Sequence, residues 1–451
     1  MGRWPIIGNL LDMPQKSPWL TYAKWSEDCD SDIIHLNVLG TSIVVLSSLE
    51  AISTLLEGRA VDFSDRPKST MMSELMGWER GFAFMPYGQL WRSHRKAFHQ
   101  EFSPQVAHRN HPKLIKATHN LLRLLLNTPQ HWHGHIRRQA GASIMDIAYG
   151  IEVLPENDPY LDIAEAAVKA FNDASVPGAF LVDSIPLLKH VPAWVPGAGF
   201  QLKAKEGRQA LENLIDSPYN AMKKDLAGGK AKSSYTSRSL AAMDATGVIE
   251  ENETIIRETA AMVYLGGSDS TPSTTSVFIL AMLAHPEVQR KAHAELDSVI
   301  GKAQLPTFKD RGSLPYVTAV AKEVLRWEPV APLAVPRKVR VDSEYKGYRI
   351  PKGSIVFQNS WALLHDEKRY PNPLAFNPER FLKDGQLDPN VQDPDVVAFG
   401  YGRRSCPGKT MGYDSVWLNV ASILAAFDIK KVANPDSTHV EPKFEPFGIT
   451  V

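Results

Sequence analysis

The stretch AFGYGRRSCPG, residues 398–408, crowds three glycines, two arginines and one cysteine into eleven positions of a chain that contains only two cysteines. The residues after it, KTMGYDSVWLNVASILAAF, carry apolar side chains at helical spacing, so Cys406 stands where a helix begins. Backbone N–H groups and the helix dipole at such a position favour thiolate over thiol. Four readings of Cys406 compete. A free cysteine in a turn is ordinarily buried and inert. A zinc site needs several Cys or His ligands at local spacing, and none accompanies it. A nucleophile needs a base, which a distant histidine could supply. A single axial thiolate on an iron whose other ligands come from a porphyrin needs one protein ligand and no more. The stretch is not a phosphate loop, because Gly-Lys-Ser/Thr is missing ahead of the helix.

The rest of the chain sets the frame. Its 451 residues suffice for a large core, and 50 basic against 50 acidic residues leave no net field directed at nucleic acid. Cys29 and Cys406 allow at most one disulfide, which excludes a disulfide scaffold. No apolar run reaches the length of a membrane span and no signal peptide is visible. Residues 33–48 read as a β-hairpin around Gly40 and Thr41. From about residue 114 onward helical spacing dominates, with long helices over 253–284, 286–300 and 315–327. The first of these is long enough to cross the whole molecule. Short β-type runs return over 337–357, a Pro-rich irregular stretch fills 370–398, and 226–237 reads as an exposed loop. With neither a repeat nor a domain-splitting linker, the pattern predicts one mainly α domain with a small β-rich lobe over 1–451.

Phe399, Gly402, Arg404, Cys406 and Gly408 match F-x-x-G-x-R-x-C-x-G. This resembles the haem-ligand loop of the cytochromes P-450, the haem-thiolate monooxygenases, and the resemblance runs from WPIIGN at 4–9 to the end of the chain. It implies haem b (iron protoporphyrin IX) held between the long central helix and the cysteine-loop helix. Cys406 is then the iron ligand, the glycines admit the porphyrin, and Arg404 reaches a propionate. Three further motifs are similar to those of the family. Glu323 and Arg326 in AKEVLRWEP form an E-x-x-R, which in isolation is an ordinary solvated helix pair. With Arg380 of NPERF they resemble the family's Glu-Arg-Arg triad, a structural lock on the cysteine-loop meander. GGSDST at 266–271 resembles the oxygen-binding motif, and with Pro272 it predicts that the long helix opens locally. Asp269 and Ser270, with Thr271 beside them, fall where the family holds water and delivers protons. The alcohol there is usually threonine, and serine keeps the hydroxyl with a freer rotamer. Trp91 and Arg95 in WRSHRK, with Arg337, are the remaining propionate candidates.

What the resemblance implies about reaction and partners follows. One oxygen atom of O2 is inserted into a small lipophilic or aromatic substrate, in fungal secondary metabolism or xenobiotic oxidation. Electrons come from NADPH through a separate cytochrome reductase, with cytochrome b5 a further donor, because the chain lacks a G-x-G-x-x-G fingerprint. Arg92, Lys96, Arg403 and Lys409 would form the basic docking patch. Substrate contacts are expected within 71–86, 260–265 and 331–335. Segments such as SPWLTYAKW and SELMGWE look like those of basidiomycete members, including tryptamine hydroxylases of mushrooms. Eukaryotic members sit on the cytosolic face of the endoplasmic reticulum through an N-terminal anchor preceding a Pro-rich hinge, and this chain starts at that hinge. The family also usually adds a strand beyond FGITV at 447–451. A reductase-independent peroxygenase, isomerase or dehydratase on the same fold, and a cysteine hydrolase without haem, are the rival activities. His131, His133 and His135 in HWHGHIRR tempt toward a metal, but their i, i+2 spacing shares a face only in a strand. Cys29, flanked by Asp28 and Asp30, reads as an ordinary thiol.

Overall fold

The computed structural model describes residues 4, 6–175, 178–246 and 250–431, so the expectation about 447–451 lies outside the described residues. Helices dominate, and the sheet is confined to a small lobe, as the patterns predicted. The hairpin pairs β1 (Ile33–Val38) with β2 (Thr41–Leu46) in antiparallel register through a tight turn. Leu39 and Gly40 both take positive φ there, the backbone that a two-residue hairpin turn requires. Six further strands follow late in the chain: β3 (Arg337–Lys338), β4 (Ser343–Tyr345), β5 (Tyr348–Ile350) and β6 (Ile355–Gln358), then β7 (Leu382–Lys383) and β8 (Gln386–Leu387), which pair only with each other. β6 lies parallel to β2 and antiparallel to β3, giving the order β1-β2-β6-β3, while β4 and β5 form a separate ribbon. Thus Arg337 is fixed by pairing with Val356.

The spanning helix runs over Glu250–Ala284, about 50 Å at 1.5 Å per residue. It begins three residues before the expected start and stays helical across Gly266, Gly267 and Pro272, so the local opening predicted from these residues does not occur. Pro272 cannot donate to the carbonyl of Ser268, but hydroxyls bond back onto neighbouring carbonyls. Ser270 Oγ donates to Gly266 O at 2.7 Å, Ser273 Oγ to Asp269 O at 3.0 Å, and Thr274 Oγ1 to Ser270 O at 2.9 Å. These bonds satisfy the hydroxyls within the helix, and none of them is to the Ser268 carbonyl.

The flanking helices obey simple rules. Pro315–Trp327 starts with proline, whose missing N–H costs nothing at that position. Glu295, on the neighbouring helix Pro286–Val299, accepts from Tyr316 N at 2.8 Å and Val317 N at 2.9 Å. That carboxylate caps the helix from outside. The helix Lys409–Ala426 is buried without a break from Asp414 to Leu424, as expected of a helix apolar all round. Gln89–Phe102 buries Trp91, His94, Phe98 and Phe102 at spacings of three and four. The loop expected over 226–237 is shorter, because Phe200–Ala227 and Tyr235–Thr246 extend into both of its ends.

Candidate functional site

A cavity of about 420 Å³ is shared by the Cys406 loop and the middle of the spanning helix. Segments at least 128 residues apart in sequence meet there, since its lining includes Cys406, Phe399, Arg404 and Gly408 together with Asp269, Ser270 and Thr271. Trp91, Arg95 and Arg337 complete the wall. Gly402 does not line it. Its φ is +52°, and a Cβ at that position would fall 2.3 Å from the carbonyl oxygen of Leu56. The residue therefore lets the loop pack against the neighbouring turn instead of contacting a cofactor.

The cysteine loop is closed by a hydrogen bond from Cys406 N to Phe399 O at 2.7 Å. Arg95, from the helix Gln89–Phe102, donates to Ser405 O at 2.5 Å and to Ser405 Oγ at 3.3 Å, holding a positive charge beside the sulfur. Cys406 is open toward the cavity and enclosed by protein elsewhere. Burial pushes its thiol up, against the opposing pull of the Gly408 N–H and the charges of Arg95 and Lys409. In the free protein desolvation thus opposes the thiolate that these local donors favour.

Four arginines line the cavity: Arg66, Arg95, Arg337 and Arg404. None forms an ion pair with a carboxylate among the described residues. Burial pulls the guanidinium of Arg404 down to about 9 and that of Arg337 to about 10. Arg66 is lowered well below its usual range by burial and by the charges of Arg404 and Arg337. Arg404 donates to the carbonyls of Ser64, Phe82 and Met85 and stacks over Trp91, 4.6 Å from the ring centroid. Arg337 donates only from Nη2, to Tyr401 O at 2.5 Å. Its Nε and Nη1, and the indole Nε1 of Trp91, are buried with no partner among the described residues. Buried donors and charges of this kind are normally satisfied. The donor set fits an anionic group.

On the helix facing this cavity, the two glycines do different work. A Cβ on Gly266 would meet nothing within 4 Å, whereas one on Gly267 would fall 2.9 Å from Ile144 Cδ1. Gly267 admits the helix Trp132–Tyr149, and Gly266 presents bare backbone to the cavity. Asp269 approaches Arg137 Nη2 of that neighbouring helix at 3.4 Å. Glu328 also borders the cavity, and burial pushes its carboxyl up to about 7.

Away from the cavity, Glu323, Arg326 and Arg380 form one buried cluster. Arg326 donates to both carboxylate oxygens of Glu323, at 2.7 and 2.9 Å, and Arg380 Nε donates to Oε1 at 3.1 Å. Asn377 N adds a fourth donor at 2.8 Å. The remaining guanidinium donors reach the carbonyls of Leu364, Pro371, Asn372 and Ala375.

Beyond the expected ranges, the lining includes Ser143, Ile144 and Ile147 of Trp132–Tyr149, and Phe171 and Asn172 of the helix Pro159–Ser175. Their apolar spacing reads as ordinary core, so nothing local distinguished them. His131, His133 and His135 lie at a helix start, His135 bonds to Thr128, and no metal-holding group of three occurs among the described residues. Cys29 is exposed. Arg92, Lys96 and Arg403 are exposed, while Lys409 pairs with Asp395 at 2.9 Å.

Comparison with known proteins bears on this geometry. The family model described as Cytochrome P450 matches residues 1–449. A tryptamine 4-monooxygenase of Psilocybe cyanescens is 47% identical over 429 residues, 95% of this chain and 84% of that protein. Cytochrome P450 monooxygenase 98 of Postia placenta is 46% identical over 99% of this chain and 86% of its own length. Cytochrome P450 monooxygenase ple1 of Rhodocybe pseudopiperita is 41% identical over 98% and 84% respectively.

Proposed function

The chain belongs to the cytochrome P450 family, and on that premise we propose that it is a monooxygenase acting on a small lipophilic or aromatic substrate. Proteins of this family bind haem b. The observation that carries the reading is one cavity bordered by Cys406, by unpaired buried donors of Trp91 and Arg337, and by the bare backbone at Gly266. Bound there, haem supplies the redox chemistry that splits O2 and inserts one oxygen atom into the substrate.

The protein's own residues then divide the work. Cys406 Sγ would hold the haem iron, whose charge would favour the thiolate against the burial that raises the thiol. Arg95 holds the carbonyl and hydroxyl of Ser405, fixing the loop beside that sulfur. Trp91 Nε1 and the free nitrogens of Arg337 would take the propionates, with Arg404 adding charge. Ser270 Oγ, held on Gly266 O, and the Asp269 carboxylate relay protons to the cavity. Arg137 Nη2, 3.4 Å from the Asp269 carboxylate, helps to hold it in place. Glu323, Arg326 and Arg380 touch none of this and act as the structural lock. The whole of 1–451 serves as one catalytic unit.

Electrons reach the site from NADPH through a separate reductase, cytochrome b5 being a second donor. Exposed Arg92, Lys96 and Arg403 support a basic docking face, which Lys409 borders. No helix among the described residues is long and apolar enough to cross a membrane. Exposed Leu181, Ile185, Leu187 and Trp194 support contact with the cytosolic face of the endoplasmic reticulum. A fungal biosynthetic or detoxifying role, with a tryptamine-like amine among the candidate substrates, rests on the relatives.

The test is Cys406→Ala. It should abolish the red-shifted Soret band of the reduced carbon monoxide complex that gives the family its name, and a surviving band would overturn the assignment. Ser270→Ala should divert NADPH electrons to peroxide; unchanged product per NADPH would remove Ser270 from the relay.

A further inference from the structure

Most of the polar side chains around the cavity already have a use. Ser143 Oγ donates to Ala140 O at 2.9 Å, Gln358 Nε2 to Val356 O at 2.9 Å, and Ser270 Oγ to Gly266 O. The amide of Asn172 has none. The residue is 9% exposed and lines the cavity. Its backbone carbonyl accepts from Ser175 Oγ at 2.9 Å, but its side chain makes no hydrogen bond among the described residues. Without a partner, an amide facing an apolar cavity gains nothing over a leucine of similar size. What surrounds it is aromatic and prearranged. The ring of Phe171, the preceding residue, lies 5.1 Å from those of both Phe84 and Trp78, and Phe84 and Phe171 both face the cavity. Aromatic walls of this kind favour tilted contacts with another ring.

We propose that Asn172 is a specificity-determining residue, hydrogen-bonding an uncharged polar group on an aromatic substrate whose ring packs against Phe84 and Phe171. An amide both donates and accepts, so a ring N–H, a hydroxyl or a carbonyl satisfies it. It carries no charge with which to attract an ammonium group. A site that hydrogen-bonds its substrate rejects the analogue lacking that group, because its own buried amide is then left unpaired. The inference rests on the cavity being the substrate site of a haem enzyme, and the experiment separates the two.

Haem-loaded protein is titrated with matched ring pairs, indole against indene and 2-naphthol against naphthalene, following the Soret shift. The wild type should bind the polar member of each pair about tenfold tighter. Asn172→Leu should erase that preference by weakening the polar member alone, with the carbon monoxide spectrum unchanged. Asn172→Asp should shift preference toward a cationic arylalkylamine such as tryptamine. Absence of a polar preference in the wild type, or its persistence in Asn172→Leu, overturns the inference while a normal carbon monoxide spectrum leaves the monooxygenase reading intact. If the leucine variant takes up no haem, Asn172→Ala is read by the same two outcomes.

Discussion

Arg326 and Arg337 are almost equally buried, at 0% and 1% exposure, yet their surroundings are opposite. Arg326 meets a carboxylate face to face and spends its other donors on the carbonyls of Leu364 and Ala375. Among the described residues Arg337 has one carbonyl and two unused nitrogens, in a cavity it shares with three other arginines. A saturated buried charge closes a structure; an unsaturated one marks where a ligand's charge belongs. That difference separates the lock from the cradle without reference to any motif.

Removing the acid from the lock should do the most damage. Glu323→Ala leaves two buried guanidinium groups uncompensated, a cost of about 3–5 kcal/mol within a total stability of roughly 5–15 kcal/mol. Little folded, haem-binding protein should be recovered, and a melting temperature near that of the wild type would refute the lock. Glu328, two residues past Arg326, is the acid the lock does not use. Its carboxyl is raised from 4.5 to about 7, so the native state holds a proton the unfolded chain has lost. The stability this represents is complete below the unfolded value and disappears as pH rises through 7, up to about 3 kcal/mol. Glu328→Gln should flatten that loss when denaturant unfolding of variant and wild type is compared from pH 4.5 to 8. The comparison cancels the opposite trend of His365, which burial lowers to about 4.

The cradle should respond the other way. Arg337→Leu is expected to change the stability of the haem-free protein by no more than about 1–2 kcal/mol, because it removes a charge that was never paired. Haem should transfer to an apoglobin acceptor about tenfold faster, the loss expected of a charge-assisted hydrogen bond. Equal damage to apo and holo forms would erase the contrast with Arg326. A last contrast separates the two glycines. Gly267→Ala must displace Ile144 and should cost about 1–3 kcal/mol in thermal unfolding, while Gly266→Ala meets open space and should cost nothing or stabilise.

Two errors of the sequence reading share a cause. The opening expected at Pro272 and the cofactor contact expected at Gly402 were local arguments. Each was overruled by what lies outside the motif: a helix that continues through Gly266, Gly267 and Pro272, and the Leu56 carbonyl. Phe171 and Asn172 were invisible for a related reason. A wall residue and a core residue have the same amphipathic spacing, and only packing distinguishes them.

Composition, periodicity and the F-x-x-G-x-R-x-C-x-G spacing by themselves determined the mainly helical fold, the spanning helix and the loop that carries Cys406. These depend on backbone conformation and on ligands close together in the chain. The tertiary structure alone decided which arginines are satisfied and which are not, where the cavity's aromatic wall lies, and that one amide faces it unpaired. Burial and hydrogen-bond satisfaction arise from segments far apart in sequence, and no single segment encodes them.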